Sequence, residues 1–264
     1  MGRLDILLET SLLSTHLASP HIGNLEQVFH IFGYLKDSSK RKIGFDPGHP
    51  KIDTNRFHSF DWQDFYKSVK EAITPNMPKP RGNSISMHCF IDSNHVGNKV
   101  TRRSQTGILI FFHKSPIIEF SKRKNTVETS TFSSDFTALK NAVELVEALR
   151  YKIHMFRVPI EGPTNVFCDN ELVYKNVSTP GSVLKKRHHS ITYHFCREAV
   201  AASTIHISKE LTATNLSELF TKILPQFVRE KLLDWFTYQM ISISPRFSTG
   251  CQFCPRDENI IAIN

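Results

Sequence analysis

An alternating run that ends in a carboxylate constrains the fold of this chain more than any other feature. Apolar side chains stand at every second position of residues 84–94, at Ile85, Met87, Cys89 and Ile91. A period of two is typical of a β-strand in a covered sheet, and it places His88, Phe90 and Asp92 on the opposite face. Asp92 therefore ends a predicted strand, a usual place for chemistry on an α/β scaffold. The same position also suits an Asp that only starts a turn.

Three more acids occupy comparable positions downstream. Residues 165–168 form a second short apolar strand that closes on Asp169. Asp135 stands in the predicted first turn of a long helix, on the same face as its apolar stripe. Glu218 stands in the first turn of a helix that is predicted to begin at Leu216. Because the helix dipole alone also favours acids in first turns, the recurrence indicates a site more strongly than any single acid.

The order of the predicted elements indicates the fold class. The strand over 84–94 is followed by a hairpin, whose strands over 106–112 and 117–120 flank a four-residue turn. A long helix, a strand, further helices, a fifth strand and a last helix follow. This is the order of elements in the ribonuclease H fold. We therefore predict an α/β protein with a ribonuclease H-like five-stranded mixed sheet, flanked by helices and preceded by a short helical segment.

Composition shifts along the chain predict four segments. They are a helical segment over 1–46, a Pro-rich linker over 47–83, the ribonuclease H-like domain over 84–224 and a C-terminal helix and tail over 225–264. The linker carries an aromatic patch and one predicted helix over 61–72. Its aromatic rings suit either packing against a neighbouring domain or stacking on nucleic-acid bases, and we expect packing. In the last segment, a helix is predicted over 227–240.

Charge and cysteine usage narrow the class of protein. The net charge of +8 suggests a polyanionic partner, although each basic cluster is also consistent with a solvated surface. The odd number of cysteines, five, argues for a reducing compartment. Cys251 and Cys254 form a lone CxxC, which is a weak indication of zinc. The sequence shows neither a signal peptide nor a sustained apolar span, so we expect an intracellular protein without membrane contact.

Acids that converge in one cleft need cations. Four carboxylates at close range repel one another unless positive charge neutralises them, and oxygen ligands suit Mg²⁺ or Mn²⁺. Two such ions can activate a water and stabilise the leaving oxygen of a phosphodiester. The predicted chemistry is therefore phosphodiester hydrolysis without a protein nucleophile.

Six runs of residues carry a family resemblance. They lie at residues 91–93, 101–107, 121–131, 167–170, 193–198 and 215–222. In this order they resemble the ribonuclease H region of copia-type LTR retrotransposon Pol polyproteins. Residues 2–6 and 30–36 are similar to the end of the reverse transcriptase region, which lies just upstream in the same polyproteins. The paired aspartates of a polymerase palm do not occur in this sequence.

The resemblance implies which acids are catalytic. It assigns both catalysis and the binding of two Mg²⁺ or Mn²⁺ ions to Asp92, Asp135, Asp169 and Glu218. The family usually has Glu where Asp135 stands and Asp where Glu218 stands. Charge is therefore kept at both positions, but the reach of each side chain differs by a methylene, which matters for the strict geometry of Mg²⁺.

Further residues are predicted to contact an RNA–DNA hybrid. Three small polar residues flank the metal ligands and suit sugar hydroxyls, including the 2′-OH of RNA: Ser93, Asn94 and Asn170. As turn residues they need no such role. Four basic residues suit the phosphates of the hybrid, a contact that positions the duplex without reading sequence: Arg102, Arg103, Lys122 and Arg123.

Three functional hypotheses follow. The first is a metal-dependent endoribonuclease that cleaves the RNA strand of RNA–DNA hybrids beside the reverse transcriptase portion of the same polyprotein, in a cytoplasmic virus-like particle or the nucleus. The second is a catalytically impaired nucleic-acid-binding remnant, which the two exchanged acids and the missing polymerase palm favour. The third is a host-adopted interaction module whose basic runs bind a protein.

Overall fold

The computed structural model describes residues 2–184 and 187–239, so Cys251 and Cys254 lie outside the described residues. The helices are α1 (Leu7–Ser14), α2 (Ile22–Asp37), α3 (Gln63–Tyr66), α4 (Thr131–Met155), α5 (Glu171–Ser178), α6 (Ser190–Ala201) and α7 (Gln226–Leu233). The strands are β1 (Arg41–Ile43), β2 (Met87–Asn94), β3 (Gln105–Phe112), β4 (Ser115–Arg123), β5 (Thr164–Cys168), β6 (Ile205–Lys209) and β7 (Thr237–Gln239). Short 3₁₀-helices lie between them, and one of these, Leu216–Phe220, contributes to the candidate site.

A five-stranded mixed sheet in the order β4-β3-β2-β5-β6 forms the centre of the molecule. β2 pairs antiparallel with β3, and β3 pairs antiparallel with β4. β5 runs parallel to β2, and β6 runs parallel to β5. The parallel neighbours need crossover connections, which contain α4 in the first case and α5 and α6 in the second. The predicted ribonuclease H-like sheet is confirmed.

The alternation of β2 divides the core into two layers, as predicted. Met87, Cys89 and Ile91 pack in a layer that includes side chains of α4, α5 and α6. Phe90 points to the opposite face, where it stacks on Phe167 with ring centroids 4.8 Å apart. Burial of one large apolar side chain stabilises a fold by about 1.5–3 kcal/mol. Both faces of β2 are therefore covered, as a central strand of an α/β sheet requires.

Two local predictions were wrong because of backbone conformations that the sequence does not reveal. Phe112 pairs with Ser115, so the hairpin has a two-residue loop instead of the predicted four-residue turn. His113, the first loop residue, has a φ of 51°, in the region that two-residue loops require. The helix predicted over 61–72 is only the four residues of α3. It ends just before Lys67, whose φ is 54°.

The last two predicted helices are also shorter than expected. The run from Leu216 is a five-residue 3₁₀-helix, capped by the side chain of Asn215, which accepts a hydrogen bond from the amide of Ser217. The helix predicted over 227–240 is divided, because α7 ends at Leu233 and β7 follows it. β7 pairs with β1, so that an early and a late part of the chain form a small two-stranded sheet.

The two early helices differ in how they pack. α1 lies against β4, and Ser11 Oγ donates a hydrogen bond to the backbone oxygen of Ser121 at 2.9 Å. In the described part of the chain, every residue of α2 stays at least partly exposed. Its apolar side chains Leu25, Phe29 and Phe32 are 55%, 62% and 61% exposed. α2 therefore presents an apolar face to its surroundings.

Trp62 and Tyr66, from the aromatic patch of the linker range, dock on α6. The buried guanidinium of Arg197 lies 4.8 Å from the ring centre of Trp62 and 4.7 Å from that of Tyr193. It also donates hydrogen bonds to the backbone oxygens of Asn176 and Thr179 at 2.9 and 2.8 Å. Such a desolvated cation–π contact contributes about 2 kcal/mol. Trp62 thus packs within the protein, and the four predicted segment boundaries stay a prediction.

Candidate active site

The register of two parallel strands brings two of the predicted acids together. Ile91 of β2 pairs with Cys168 of β5. Asp92 and Asp169, the next residue in each case, therefore lie side by side at the carboxyl ends of the two strands. Ligands of open α/β sheets bind at this end of the strands.

Glu218 completes a cluster of three carboxylates. Asp92, Asp169 and Glu218 each offer one carboxylate oxygen, and these three atoms lie within 4.8 Å of one another. In the described part of the chain, this is the only such group of potential His, Cys or acidic metal ligands. The 3₁₀-helix that carries Glu218 is tied to β2, because Asn215 Nδ2 donates to the backbone oxygen of Ile91 at 2.9 Å.

The close approach of this 3₁₀-helix to the sheet depends on a glycine. A Cβ atom at Gly107 of β3 would lie 2.7 Å from the backbone oxygen of Ser217 and 2.7 Å from Cγ2 of Thr221. Any side chain at this position would displace the segment that carries Glu218. The glycine therefore fixes the distance between Glu218 and the strand-end acids.

Asp135 lies beside the cluster without being one of its three members. It is the fifth residue of α4, so the prediction that it stands in the first turn was wrong by one residue. Its Oδ2 accepts a hydrogen bond from Asn170 Nδ2 at 2.7 Å. Its Oδ1 is buried and accepts no hydrogen bond from the described residues. An unpaired buried oxygen costs about 1–3 kcal/mol, and a bound cation would satisfy it.

Burial and mutual repulsion disfavour the charged forms of these acids. Burial raises the pKa of Asp135 to about 7, and repulsion from Asp92 and Asp169 adds to the shift, while the Asn170 hydrogen bond opposes it. Burial, followed by repulsion from Asp92, likewise raises the pKa of Glu218 to about 7. The same two causes raise the pKa of Asp169. A divalent cation would reverse these shifts, because it stabilises the charged carboxylates.

Two threonines, which no sequence motif marks as functional, hold these carboxylates. Thr221 Oγ1 donates a hydrogen bond to Oδ2 of Asp92. Thr212 Oγ1 donates to Oδ2 of Asp169 at 3.1 Å. No sequence signal distinguishes these threonines from others, because the contacts join residues far apart in the chain.

Lys222 also enters the site, although it is not among the predicted site residues. Its Nζ lies 2.6 Å from Glu218 Oε1 and 3.5 Å from Asp92 Oδ2. Burial opposes the charge of this lysine, but Asp92 and Glu218 raise the pKa of Lys222 above its usual value. The four-residue spacing of Glu218 and Lys222, typical of helical ion pairs, is a signal that could have identified it.

The donor set fits a hard divalent cation. The three clustered atoms are carboxylate oxygens, and the unpaired Oδ1 of Asp135 adds a fourth carboxylate oxygen nearby. Mg²⁺ and Mn²⁺ prefer carboxylate oxygen to nitrogen or sulfur. The residues of this site are therefore suited to the ions that the sequence predicts.

The predicted phosphate-binding residues lie at the same end of the sheet as the acids. Gln105, the first residue of β3, pairs with Asn94 at the end of β2 and with Arg123 at the end of β4. The four basic residues adjoin these strand ends, two of them exposed and two half-buried: Arg102 and Lys122, then Arg103 and Arg123. Their contact with nucleic acid stays a prediction.

The three small polar residues are engaged within the protein. Ser93 Oγ donates to the backbone oxygen of Gln105 at 3.2 Å. Asn94 Nδ2 donates to the backbone oxygen of Thr221 at 3.1 Å. Asn170 caps α5 with its side-chain oxygen, and its Nδ2 donates a hydrogen bond to Asp135. These contacts agree with a structural role, and a further role toward sugar hydroxyls stays a prediction.

Lys124 connects the end of β4 to the start of α4. It is buried, and its Nζ donates to the backbone oxygen of Ser134 and, at 3.3 Å, to Ser134 Oγ. Burial lowers the pKa of Lys124 to about 8, although Glu128 and Asp135 oppose this shift. The lysine fixes the start of the helix that carries Asp135.

Comparisons with known proteins agree with the earlier resemblance. No protein-family model matches the chain. The chain is 24% identical over 153 residues, 57% of its length, to the retrovirus-related Pol polyprotein from transposon RE1 of Arabidopsis thaliana. It is 22% identical over 142 residues, 54% of its length, to the corresponding polyprotein from transposon RE2 of the same plant. The matched part is 10% of each polyprotein, so the chain spans about a tenth of these relatives.

Solved structures of ribonucleases H are also similar. The crystal structure of LC11-RNase H1 in complex with RNA/DNA hybrid has a TM-score of 0.42 and 14% identity, covering 52% of this chain and 94% of that chain. RNase H1 from the halophilic archaeon Halobacterium salinarum has a TM-score of 0.39 and 13% identity, with the same coverage of 52% and 94%. Among the described helices, none combines the length and the apolar character needed to cross a bilayer. The chain is thus similar in sequence to a part of retrovirus-related Pol polyproteins, and its strand order is that of the predicted ribonuclease H-like sheet.

Proposed function

We propose that this chain is a divalent-metal-dependent endoribonuclease that hydrolyses the RNA strand of RNA–DNA hybrids. The observation that carries this proposal is the meeting of Asp92, Asp169 and Glu218 within 4.8 Å at the carboxyl ends of two parallel strands. The fold and the relation to Pol polyproteins support a ribonuclease H function in general. As part of transposon replication, the reaction would take place in the cytoplasm or the nucleus.

Four acids would hold two Mg²⁺ or Mn²⁺ ions in this proposal: Asp92, Asp135, Asp169 and Glu218. When bound, such ions supply an activated water and stabilise the leaving oxygen of a phosphodiester. The protein contributes a rigid frame for the ligands, because the hydroxyls of Thr221 and Thr212 hold two of the carboxylates in place. Ligand positions that are fixed before the substrate binds lower the cost of reaching the transition state.

Positive charge and polar groups near the acids support the proposed substrate class. Arg102, Arg103, Lys122 and Arg123 would bind the phosphates of the hybrid, which orients the duplex without reading its sequence. Ser93, Asn94 and Asn170 adjoin Asp92 and Asp169, where they would contact sugar hydroxyls. The 2′-OH is the group that distinguishes RNA from DNA at such a position.

The proposed protein partner is the reverse transcriptase portion of the same polyprotein. Support comes from α2, whose side chains Leu25, Phe29 and Phe32 are each more than half exposed and lie on neighbouring turns of the helix. An exposed apolar patch of this kind marks a protein contact more often than a solvated surface.

A second candidate function is a catalytically impaired nucleic-acid-binding remnant. Two observations favour it. Asp135 does not belong to the group of three carboxylates, and Lys222 Nζ already lies 2.6 Å from Glu218. A lysine that remained at this point would compete with the metal ions for the same oxygens.

Cleavage of a labelled RNA–DNA hybrid tests the proposal. The parent chain is assayed with Mg²⁺ and with Mn²⁺, beside Asp92→Asn and Asp169→Asn variants and a DNA duplex of the same sequence. Lys175→Gln serves as a matched control. It breaks an exposed ion pair on α5 between Glu171 and Lys175, which are four residues apart in the chain, as Glu218 and Lys222 are. We expect cleavage of the RNA strand only, with loss in both Asn variants and the parental rate in the control.

The outcomes separate the two candidate functions. No cleavage with either ion, together with salt-dependent binding of the hybrid, would favour the binding remnant over the nuclease. Cleavage that persists in both Asn variants would come from a contaminating nuclease and would remove the support for this site.

A further inference from the structure

Lys222 differs from the other basic residues near the site because it contacts the carboxylates directly. Its Nζ lies 2.6 Å from Glu218 Oε1 and 3.5 Å from Asp92 Oδ2, so it bridges two of the three clustered acids. Both of these acid side chains are buried, whereas the Lys222 side chain is 35% exposed. The Lys222 side chain is therefore the part of this contact that reaches the solvent.

The backbone of Lys222 is held in place, whereas its side chain is held only by the contacts of its ammonium with Glu218 and Asp92. The amide of Lys222 donates to the backbone oxygen of Glu218 at 3.1 Å, and the preceding Thr221 packs against β3 and bonds to Asp92. A lysine side chain has four rotatable bonds, and this one is partly exposed to water. Lys124, by contrast, is buried and donates twice to Ser134, so it stays where it is.

Charge balance limits how many further cations the cluster accepts. Lys222 already compensates one of the negative charges of the site. One divalent ion held on the Asp169 side of the cluster would add two positive charges and would nearly balance the remaining acids. A second divalent ion between Asp92 and Glu218 would have to occupy the space around the ammonium, and like charges at about 4 Å repel strongly in a partly buried site.

We propose that Lys222 is a resident cation of this site, which takes the Asp92–Glu218 side of the cluster and must swing out before a second divalent ion binds there. This inference rests on the proposed function for its choice of ions. With the lysine in place, the chain binds one divalent ion well and a second one weakly. Glu218 favours this arrangement, because its side chain is a methylene longer than Asp and reaches the ammonium from one helical turn away.

Mn²⁺ binding to the metal-free full chain tests the inference without relying on activity. The concentration of free Mn²⁺ is measured by electron paramagnetic resonance, and the heat of Mn²⁺ binding is measured by titration calorimetry. In the parent we expect one site, with a second site weaker by at least about tenfold, a difference both methods resolve. In Lys222→Gln we expect the second site to gain at least about tenfold in affinity. Lys222→Arg keeps the charge and is expected to behave as the parent does.

Matched variants exclude indirect effects. Lys175→Gln removes a lysine from the same kind of Glu–Lys pair outside the site, and it should leave Mn²⁺ binding unchanged. If Lys222→Gln does not fold, Lys222→Met replaces it, since Met keeps the apolar stem and lacks the charge. The inference is overturned if neutral variants bind the same number of ions with parental affinity, or if Lys222→Arg binds like Lys222→Gln.

The result is separable from that of the cleavage assay. A parent chain that cleaves the hybrid, with no change of Mn²⁺ affinity in Lys222→Gln, would refute the role of Lys222 and leave the proposed function standing. A parent chain that cleaves nothing, with a second Mn²⁺ bound by Lys222→Gln, would support the role of Lys222 and count against the nuclease.

Discussion

The two ends of β2 bury polar side chains in opposite ways. Near its start, His88 is buried, its Nε2 lies 3.1 Å from Ser86 Oγ, and Asn165 Nδ2 lies 3.5 Å from its Nδ1. Burial lowers the pKa of His88 to about 3, and repulsion from His113 and His49 adds to this shift. Near the end of β2, burial shifts pKa values the other way and raises that of Asp135 to about 7.

The difference between these ends lies in how the polar groups are satisfied. The neutral imidazole of His88 is paired with neutral partners and needs no further ligand. Among the described residues, the acids at the other end outnumber Lys222, which contacts two of them, and one oxygen of Asp135 lacks a donor. Uncompensated buried charge lowers stability, and proteins retain it mainly at functional sites. One strand therefore has a structural polar end and a candidate catalytic end.

The largest expected effect is a difference in cleavage rate between substitutions at the two ends of β2. Asp169→Asn should lower the rate of hybrid cleavage by at least about a hundredfold, because it removes a metal ligand at the carboxyl end. Ser86→Ala, at the other end, removes a hydrogen bond to His88 and should leave the rate within about twofold. Both variants are compared with the parent in the same Mn²⁺ assay. An equal loss of rate in the two would contradict the division into two ends.

The histidine end should control stability in acid. The pKa of His88 is lower in the folded protein than in the unfolded chain, so the unfolded chain takes up a proton first as the pH falls from 6.5 toward 3. The free energy of unfolding should therefore fall by up to about 4 kcal/mol in this window. His88→Gln should remove most of this dependence. Urea unfolding at several pH values measures this dependence. The prediction is refuted if the free energy of unfolding changes equally with pH in the parent and in His88→Gln.

The acid end should show the opposite sign. The pKa of Asp135 is raised from 3.8 to about 7, so the folded protein keeps a proton that the unfolded chain has lost. The free energy of unfolding of the metal-free protein should therefore decrease by about 3 kcal/mol as the pH rises through this range. Asp135→Asn should be more stable than the parent above the raised pKa and similar to it below 3.8, while losing activity. Urea unfolding at several pH values measures this. A difference in free energy of unfolding between Asp135→Asn and the parent that is the same at every pH would contradict the prediction.

The smallest expected effect is the response of thermal stability to metal. Saturating Mn²⁺ should raise the Tm of the parent by about 5 °C, because it binds only the folded protein and relieves repulsion among the acids. Asp92→Asn should lose most of this response. His88→Gln should keep it, since His88 lies at the other end of β2. Differential scanning fluorimetry measures all three, and a full response in Asp92→Asn would place the metal elsewhere.

Local patterns in the sequence predicted the sheet well and the turns poorly. The alternation in 84–94 predicted both faces of β2 correctly, because side-chain direction in a strand depends only on position along the chain. The two-residue hairpin loop and the early end of α3 depend on positive φ angles at His113 and Lys67. Neither residue is a glycine, so the composition carried no signal for either.

The sequence by itself determined the order of the strands along the chain, the faces of the central strand and the positions of four acids at strand ends or near helix starts. Only the tertiary structure decided which side chains meet: Asp135 stays beside the cluster, and Lys222 enters it. The physical reason is that these distances depend on contacts between remote segments. The pairing of β2 with β5 and the close approach at Gly107 set them, and both result from packing that no local pattern encodes.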